Sequence, residues 1–238
     1  MINSAPTVTA ETGQARFAVG SSRGSHISPQ RPRAGEVRVR VGALGLSALG
    51  VQAIGHIEAV GPEAAGFAPG DRVAYRLTAL TPPFTKAPDL SHIIGERDLI
   101  GFPKDVAIEQ AAALLPMGLI ARTIVKHLHS IGRGNRVSVA VDDTGAHAFV
   151  IAWARYLGAE IVERNADVEI TSADYTAARQ LRTSHGIAQV AASEVFHAVR
   201  CGVFDGVEIA RFPLSDAAGA KRSLSDGEAP IPVVLIAA

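Results

Sequence analysis

Cysteine is almost absent from this sequence, Cys201 being the only one in 238 residues. No internal disulfide and no cysteine-based zinc site can form, which fits a reducing compartment, the cytoplasm on the simplest reading. An excess of charge of either sign is lacking as well. Lys plus Arg and Asp plus Glu both number 23, so no global field favours nucleic acid or an anionic membrane surface, and neither is expected as a partner. No uncharged apolar run approaches the roughly 20 residues that span a bilayer. Met1 to Ala10 has no basic stretch followed by an apolar run, so no targeting signal or anchor is expected. Internal repeats, heptads, a Gly-x-Ser-x-Gly elbow and a phosphate-binding P-loop are missing too. What is plentiful is apolar content. At 47% hydrophobic residues the chain can bury a sizeable core, as one large domain or two small ones.

Residues 1–34 are rich in Ser, Pro, Gly and Arg, with only Ala15 to Val19 reading as a strand, so this arm is expected to be irregular. Arg31 and Arg33 read as solvated charges within it. From Gly35, Val37, Val39 and Val41 alternate with Arg38, Arg40 and Gly42, the period of a half-buried strand. Ile54 to Val60 and Arg72 to Leu77 predict two more strands, and short strands between Gly and Pro turns indicate a small β domain.

After Pro103 the period becomes helical. Ala111 to Leu115 and Met117 to Leu128 predict helix with an interruption at Pro116. Val137 to Val141 reads as a strand, Ala146 to Leu157 as a helix closed by Gly158, and Ile161 and Val162 as the next strand, which together make one βαβ unit. Ser172 to Ser184 and Ala191 to Cys201 predict helices. Val207 to Phe212 and Val233 to Ile236 predict strands around a short helix that Ser215 would cap.

Several stretches in this order carry a likeness: GEVRVRV from Gly35, GHIEAVG from Gly55, GFAPGDRVA from Gly66, AAALLPMGLIA from Ala111 and ARYLGAEI from Ala154. RFPLSDAAGA from Arg211 and PVVLI from Pro232 complete the set. From about Gly35 to the end the chain resembles the medium-chain dehydrogenase/reductase superfamily, specifically its zinc-free branch of quinone oxidoreductases and polyketide enoyl reductases. The resemblance implies an α/β fold: a GroES-like β domain over residues 35–105 and 203–238, with a truncated Rossmann-like domain over 106–202 inserted into it. It also implies NADPH on the turn after the first Rossmann strand and reduction of an enone or quinone in the cleft. Between Leu44 and Gly55, however, the chain passes almost directly from strand to strand, where the family carries a loop with a catalytic tyrosine or asparagine.

The nucleotide turn departs further. The family pattern places glycines at 141, 144, 145 and 147, and this chain has Val141, Thr144, Gly145 and His147. Glycine is needed there for the tight turn, the approach to the pyrophosphate and the packing of helix on strand. Asp142 and Asp143 stand where the pyrophosphate should meet the helix N-terminus. Two like charges about 6 Å apart at an effective dielectric of about 20 repel by about 3 kcal/mol, on the order of a hundredfold in affinity. Helix capping is the favoured role for Asp142, Asp143 and Thr144. Glu163, 18 positions after Gly145, is near the spacing at which an acid meets an adenosine ribose, although an exposed strand-end glutamate is the simpler reading. Length argues independently. Gly134 to Gly202 spans 202 − 134 = 68 positions, enough for two βαβ steps of about 30 residues but not for a six-stranded dinucleotide fold.

Other candidates are weighed as structural. His56 fits an apolar strand position. His127 and His129 are two apart on a helix and point to different faces, so no metal site is expected. Asp71 fixes a turn, and Cys201, near the end of an apolar helix, is expected to be a buried, inert thiol. The leading expectation is thus a divergent protein without standard hydride transfer and without a cofactor. It would bind a small or carrier-bound acyl or polyketide-like ligand, or act as an accessory subunit in a homodimer or with a partner enzyme. Vestigial cofactor contacts would fall on Gly145, Thr144 and Glu163, and any retained acid–base chemistry on His147 and Asp143. The alternative is an active reductase that uses NADPH.

Overall fold

The architecture rests on a computed structural model, which describes residues 16–17, 31–47, 49–77, 90–140, 144–181, 185–225 and 232–237. Most of the N-terminal arm therefore lies outside the described residues. Among its described residues, Arg16–Phe17 form β1.

The Val-rich alternation becomes β2 (Glu36–Ser47), which turns straight back into β3 (Gly50–Val60) and then β4 (Arg72–Leu77). β2 and β3 pair antiparallel from Val37 with Val60 to Ser47 with Gly50, so only residues 48 and 49 separate them. Two short strands that the sequence reading did not anticipate, β5 (Ser91–Gly95) and β6 (Ile100–Gly101), complete the sheet order β1-β5-β2-β3-β4-β6.

Gly42 is the extra residue of a bulge, because Val41 pairs with Gly55 and Ala43 with Ile54. The bulge shifts the side-chain alternation by one. Val37, Val39, Val41, Leu44 and Leu46 consequently share one buried face with Ala53, Ile57, Val73 and Tyr75. Ala43, Ile54 and Ala74 face the opposite way, into a second core.

That second core is organised by α1 (Ile108–Arg122), in which every residue from Ala111 to Ala121 is buried. A helix apolar on all sides belongs in the middle of a fold. Contrary to the sequence expectation, Pro116 does not interrupt it. The helix runs through Pro116 and continues as a π-helical turn, Thr123–Leu128. Proline frees the carbonyl four residues earlier, here that of Ala112. This oxygen lies against the backbone of Gly45 in β2, where a Cβ would come within 1.9 Å of it. Packing on both sides of the helix replaces what the ladder loses. Ile108–Leu128 is also long and apolar enough to cross a membrane, although Glu109, Arg122 and Lys126 interrupt it, and its most apolar window is 72% buried inside the fold.

β7 (Arg136–Ala140), α2 (Thr144–Tyr156) and β8 (Glu160–Ile161) form the expected βαβ unit. An unanticipated strand, β9 (Val168–Thr171), pairs parallel with the other edge of β7, giving a three-stranded parallel sheet of order β8-β7-β9. α3 (Ser172–Leu181) and α4 (His185–Arg200) follow. Phe149 and Trp153 of α2 meet Phe204 at ring separations of 4.9 and 5.5 Å, and Phe196 of α4 meets Phe102 at 5.5 Å. α4 is tied to α1 by Arg122 and Glu194, 3.1 Å apart.

The chain then returns to the first sheet. β10 (Ala210–Pro213) and β11 (Val233–Ile236) pair parallel around α5 (Ala217–Ser225), and β11 lies antiparallel on Ala43 to Leu46 of β2. β10 starts three residues later than expected. Asp216 rather than Ser215 serves the helix start, its Oδ1 accepting from the Gly219 amide at 3.0 Å; a carboxylate bonded to an N-terminal amide also complements the helix dipole.

Candidate functional site

Parallel strands whose connections leave in opposite directions open a crevice at their carboxyl ends. Here the chain leaves β7 through α2 to reach β8 on one side, while β9 lies on the other, with Ala140 opposite Thr171. Gly145 and Thr144 open α2 at this edge, and Glu163 stands exposed on the bend after β8. Gly145, Thr144 and Glu163 therefore lie at one end of the parallel sheet. Val141, Asp142 and Asp143 fall outside the described residues. His147 is half-buried on the flank of α2, beside the stripe of Ala146, Phe149, Val150 and Trp153 that packs inward.

The same edge carries a network that sequence reasoning missed. Asp174, in the first turn of α3, accepts from the Thr171 amide at 2.8 Å and from its hydroxyl at 3.1 Å. Its other oxygen accepts from His129 Nε2–H at 2.8 Å. Partial burial pulls the Asp174 carboxyl upward, but the bonds from Thr171 and His129 outweigh it and hold the group below the ordinary carboxylate range. The bond from the Thr171 amide to the Asp174 carboxylate is one half of a capping box, and Thr-x-x-Asp ahead of a helical stretch was its sequence signal. His129 is thereby held by a carboxylate rather than standing as a free helical histidine.

Other sequence candidates are placed as follows. Asp71 holds its turn, Oδ2 accepting from the Ala68 amide at 2.8 Å. His56 lies in β3 between Arg40 and Arg72 of the neighbouring strands. His127 is exposed. Cys201 is exposed, not buried. The helix ends at Arg200, so the thiol lies beyond the apolar stripe, with Sγ 3.6 Å from His197 Nε2.

A second feature lies at the tip of the β2–β3 hairpin. Gly45, Gln52 and Arg76 are cross-strand neighbours on the face beneath α1. Gln52 is buried, 3% exposed, and its Nε2 has no hydrogen-bond partner. Arg76 reaches the Leu49 carbonyl at 3.3 Å. Gln52 and Arg76 meet Ser47, Leu49, Val51 and Pro116 around a crevice too tight to admit a water molecule.

A quinone oxidoreductase of Pseudomonas aeruginosa is 31% identical over 152 residues, covering 56% of this chain and 45% of that protein. A 2-haloacrylate reductase from Burkholderia sp. is 27% identical over 154 residues, 55% of this chain and 45% of that protein. The chain is thus similar in sequence to a quinone oxidoreductase and a 2-haloacrylate reductase. The chain spans about half the length of these curated relatives. No protein-family profile matches it. Among solved structures, the quinone oxidoreductase of Escherichia coli complexed with NADPH superposes with a TM-score of 0.68 at 18% identity, over 89% of this chain and 94% of that one. The antiparallel and parallel sheets accordingly match the GroES-like and Rossmann-like parts of that architecture.

Proposed function

We propose that this chain is a shortened quinone oxidoreductase-like protein that binds a small or carrier-bound acyl or other carbonyl compound and does not perform conventional hydride transfer from NAD(P)H. The observation that carries this reading is the parallel sheet. A dinucleotide site joins two βαβαβ halves about the switch point. Among the described residues, one side of β7 holds β8 and the other holds β9 alone. Gly145 and the crevice suit the adenosine side of a dinucleotide, whereas the nicotinamide side has one strand where the fold uses three. The full cofactor therefore does not fit the residues present, and no catalytic step is derived through it.

The closed β2–β3 hairpin supports the same reading, since the family's catalytic loop has no counterpart between Ser47 and Gly50. A cytoplasmic location, a homodimer or a partner enzyme is compatible with the free thiol at Cys201 and the shortened sheet. Boundaries near residues 105 and 203 are proposed for the inserted unit.

The second reading, an active NADPH-dependent quinone or enoyl reductase, is favoured by the superposition on the NADPH-bound relative. Steady-state assays separate the two. With NADPH and either 1,4-benzoquinone or crotonyl-pantetheine, the chain should oxidise NADPH no faster than a boiled control. Turnover above about 1 per second, within the ordinary range for enzymes, would establish the second reading instead.

A further inference from the structure

We infer that Cys201 captures small conjugated carbonyl compounds covalently: they enter a groove between α2 and α4 and add to its thiol, with His197 as the base. This site is separate from the parallel-sheet crevice and goes beyond the ligand-binding role proposed above.

The groove lies where the end of α2 and the length of α4 meet the π-helical turn, and it has room of about 230 Å³. That is below the roughly 300–1,000 Å³ of sites for drug-sized molecules, so it suits a single ring or a short chain. Trp153, Leu157 and Ala198 give it an apolar lining. The ion pair of Lys126 with Glu194, 2.5 Å apart, adds a polar wall, which Arg122 of α1 fixes by pairing with the same glutamate.

A nucleophile stands beside this space. Tyr156 and His197 both line the groove, and both meet the exposed thiol of Cys201. His197 Nε2 is 3.6 Å from Sγ, and the Tyr156 hydroxyl is hydrogen-bonded with the same sulfur. The Cys201 amide continues the helical ladder to the His197 carbonyl at 3.0 Å, so the two side chains lie one turn apart on one face. Tyr156 reaches across from α2 and keeps 48% of its surface exposed. Its bond to Cys201, and then the charge of that sulfur, raise the Tyr156 pKa. The phenol therefore keeps its proton and donates to the thiolate as it forms. A nucleophile, a base within its reach and a donor that steadies the anion are the parts of an addition site.

The chain's single thiol sets the ligand's chemistry. Cys201 has no second cysteine to pair with, so a disulfide relay within the chain is excluded, whereas addition to an activated C=C bond needs only the thiol and the electrophile. His197 takes the thiol proton, sulfur bonds to the β-carbon, and the C=C electron pair moves onto the α-carbon and carbonyl oxygen as an enolate. The imidazolium then returns the proton to the α-carbon. A thioether bearing a saturated carbonyl results, and no oxidant, reductant or leaving group is involved.

The test uses the full chain with 2-cyclohexenone as probe, cyclohexanone as its unreactive counterpart and N-acetylcysteine as the free-thiol reference. Intact mass should rise by one cyclohexenone, located on Cys201 by peptide mapping. The rate should saturate with concentration and be slowed by cyclohexanone. It should exceed that of the free thiol by on the order of a hundredfold, the lower end of what a positioned base supplies. His197→Gln should remove most of that excess without changing the melting temperature. Cys201→Ser should gain no mass, yet cyclohexenone should still alter the emission of Trp153 in the groove wall. Ser193→Phe, which fills the groove, should abolish the saturation. A rate linear in concentration and equal to that of the free thiol, or one indifferent to His197→Gln, would show a merely exposed cysteine and overturn the inference. Neither result touches the proposed loss of hydride transfer, which the NADPH assays decide separately.

Discussion

Gly45→Ala should destabilise the protein by about 3 kcal/mol, the upper part of the range for overpacking a core. The new Cβ would stand 1.9 Å from the Ala112 carbonyl oxygen and 2.8 Å from its carbon. Neither atom can move without moving α1. The helix is buried on every side between Ala111 and Ala121, against β2 and β3 on one face and α4 on another. It therefore cannot retreat without opening that core. For a chain of this length the cost corresponds to a fall in Tm of about 6–12 °C. Gly132→Ala is the control. Its Cβ would meet nothing within 4 Å and its φ is not positive, so it should be nearly neutral. Thermal unfolding of both variants checks the account, and equal melting temperatures would show that α1 does not pack on β2 as described.

Acid should destabilise the chain through His92. The ring is 2% exposed, its Nδ1 hydrogen-bonded with the Tyr75 hydroxyl at 2.6 Å. Burial lowers the His92 pKa from 6.5 to about 4, and burial likewise drives the Tyr75 hydroxyl well above its usual value. The folded-state pKa of the histidine is thus depressed below that of the unfolded chain. Above pH 6.5 neither state is protonated and the full stability is present. As the pH falls towards 4 the unfolded chain gains a proton that the folded chain refuses, so stability is lost across that window. A shift of this size corresponds to roughly 3 kcal/mol. Asp174 adds in the same direction, since its depressed carboxyl stabilises the fold only while ionised. Urea unfolding at pH 7.5, 6, 5 and 4 should show the decline, and His92→Phe should flatten it between 6.5 and 4. An unchanged slope in that variant would place the acid sensitivity elsewhere.

The elements legible in the sequence were those with a clean period or a clear stop. β2 announced itself through Val37, Val39 and Val41, α2 through its apolar stripe and Gly158, and β11 through four consecutive apolar residues. β9 was missed because Val168, Glu169, Ile170 and Thr171 give only two apolar positions, and its existence depends on pairing with β7. β5 is only one residue longer, and its buried histidine reads as polar. Pro116 misled because tertiary packing overrode a local rule.

The site was less legible than the fold. The departures from the glycine pattern at 141, 144 and 147 were visible in the sequence, and Gly145, Thr144 and Glu163 lie at one end of the parallel sheet. The partner of His129 was not visible, because Asp174 is 45 positions away. Gln52 looked like any strand residue. Its burial depends on α1 covering that face, which follows from the Gly42 bulge and the close approach at Gly45.

The central claim is that a sheet with β9 alone beyond β7 no longer holds a dinucleotide. Calorimetric titration of the unmodified chain with NADPH, and with NADH in parallel, tests it most directly. Trp153, the only tryptophan, offers an optical check through energy transfer to the reduced nicotinamide. No saturable binding should be seen at micromolar concentrations. In the variant carrying Asp142→Ala, Asp143→Ala, Thr144→Gly and His147→Gly, weak binding should appear without reductase turnover, since the repulsion is lifted while the hairpin stays closed. Tight NADPH binding by the unmodified chain, weakened by those four changes, would contradict the account and show a cofactor site rebuilt rather than lost.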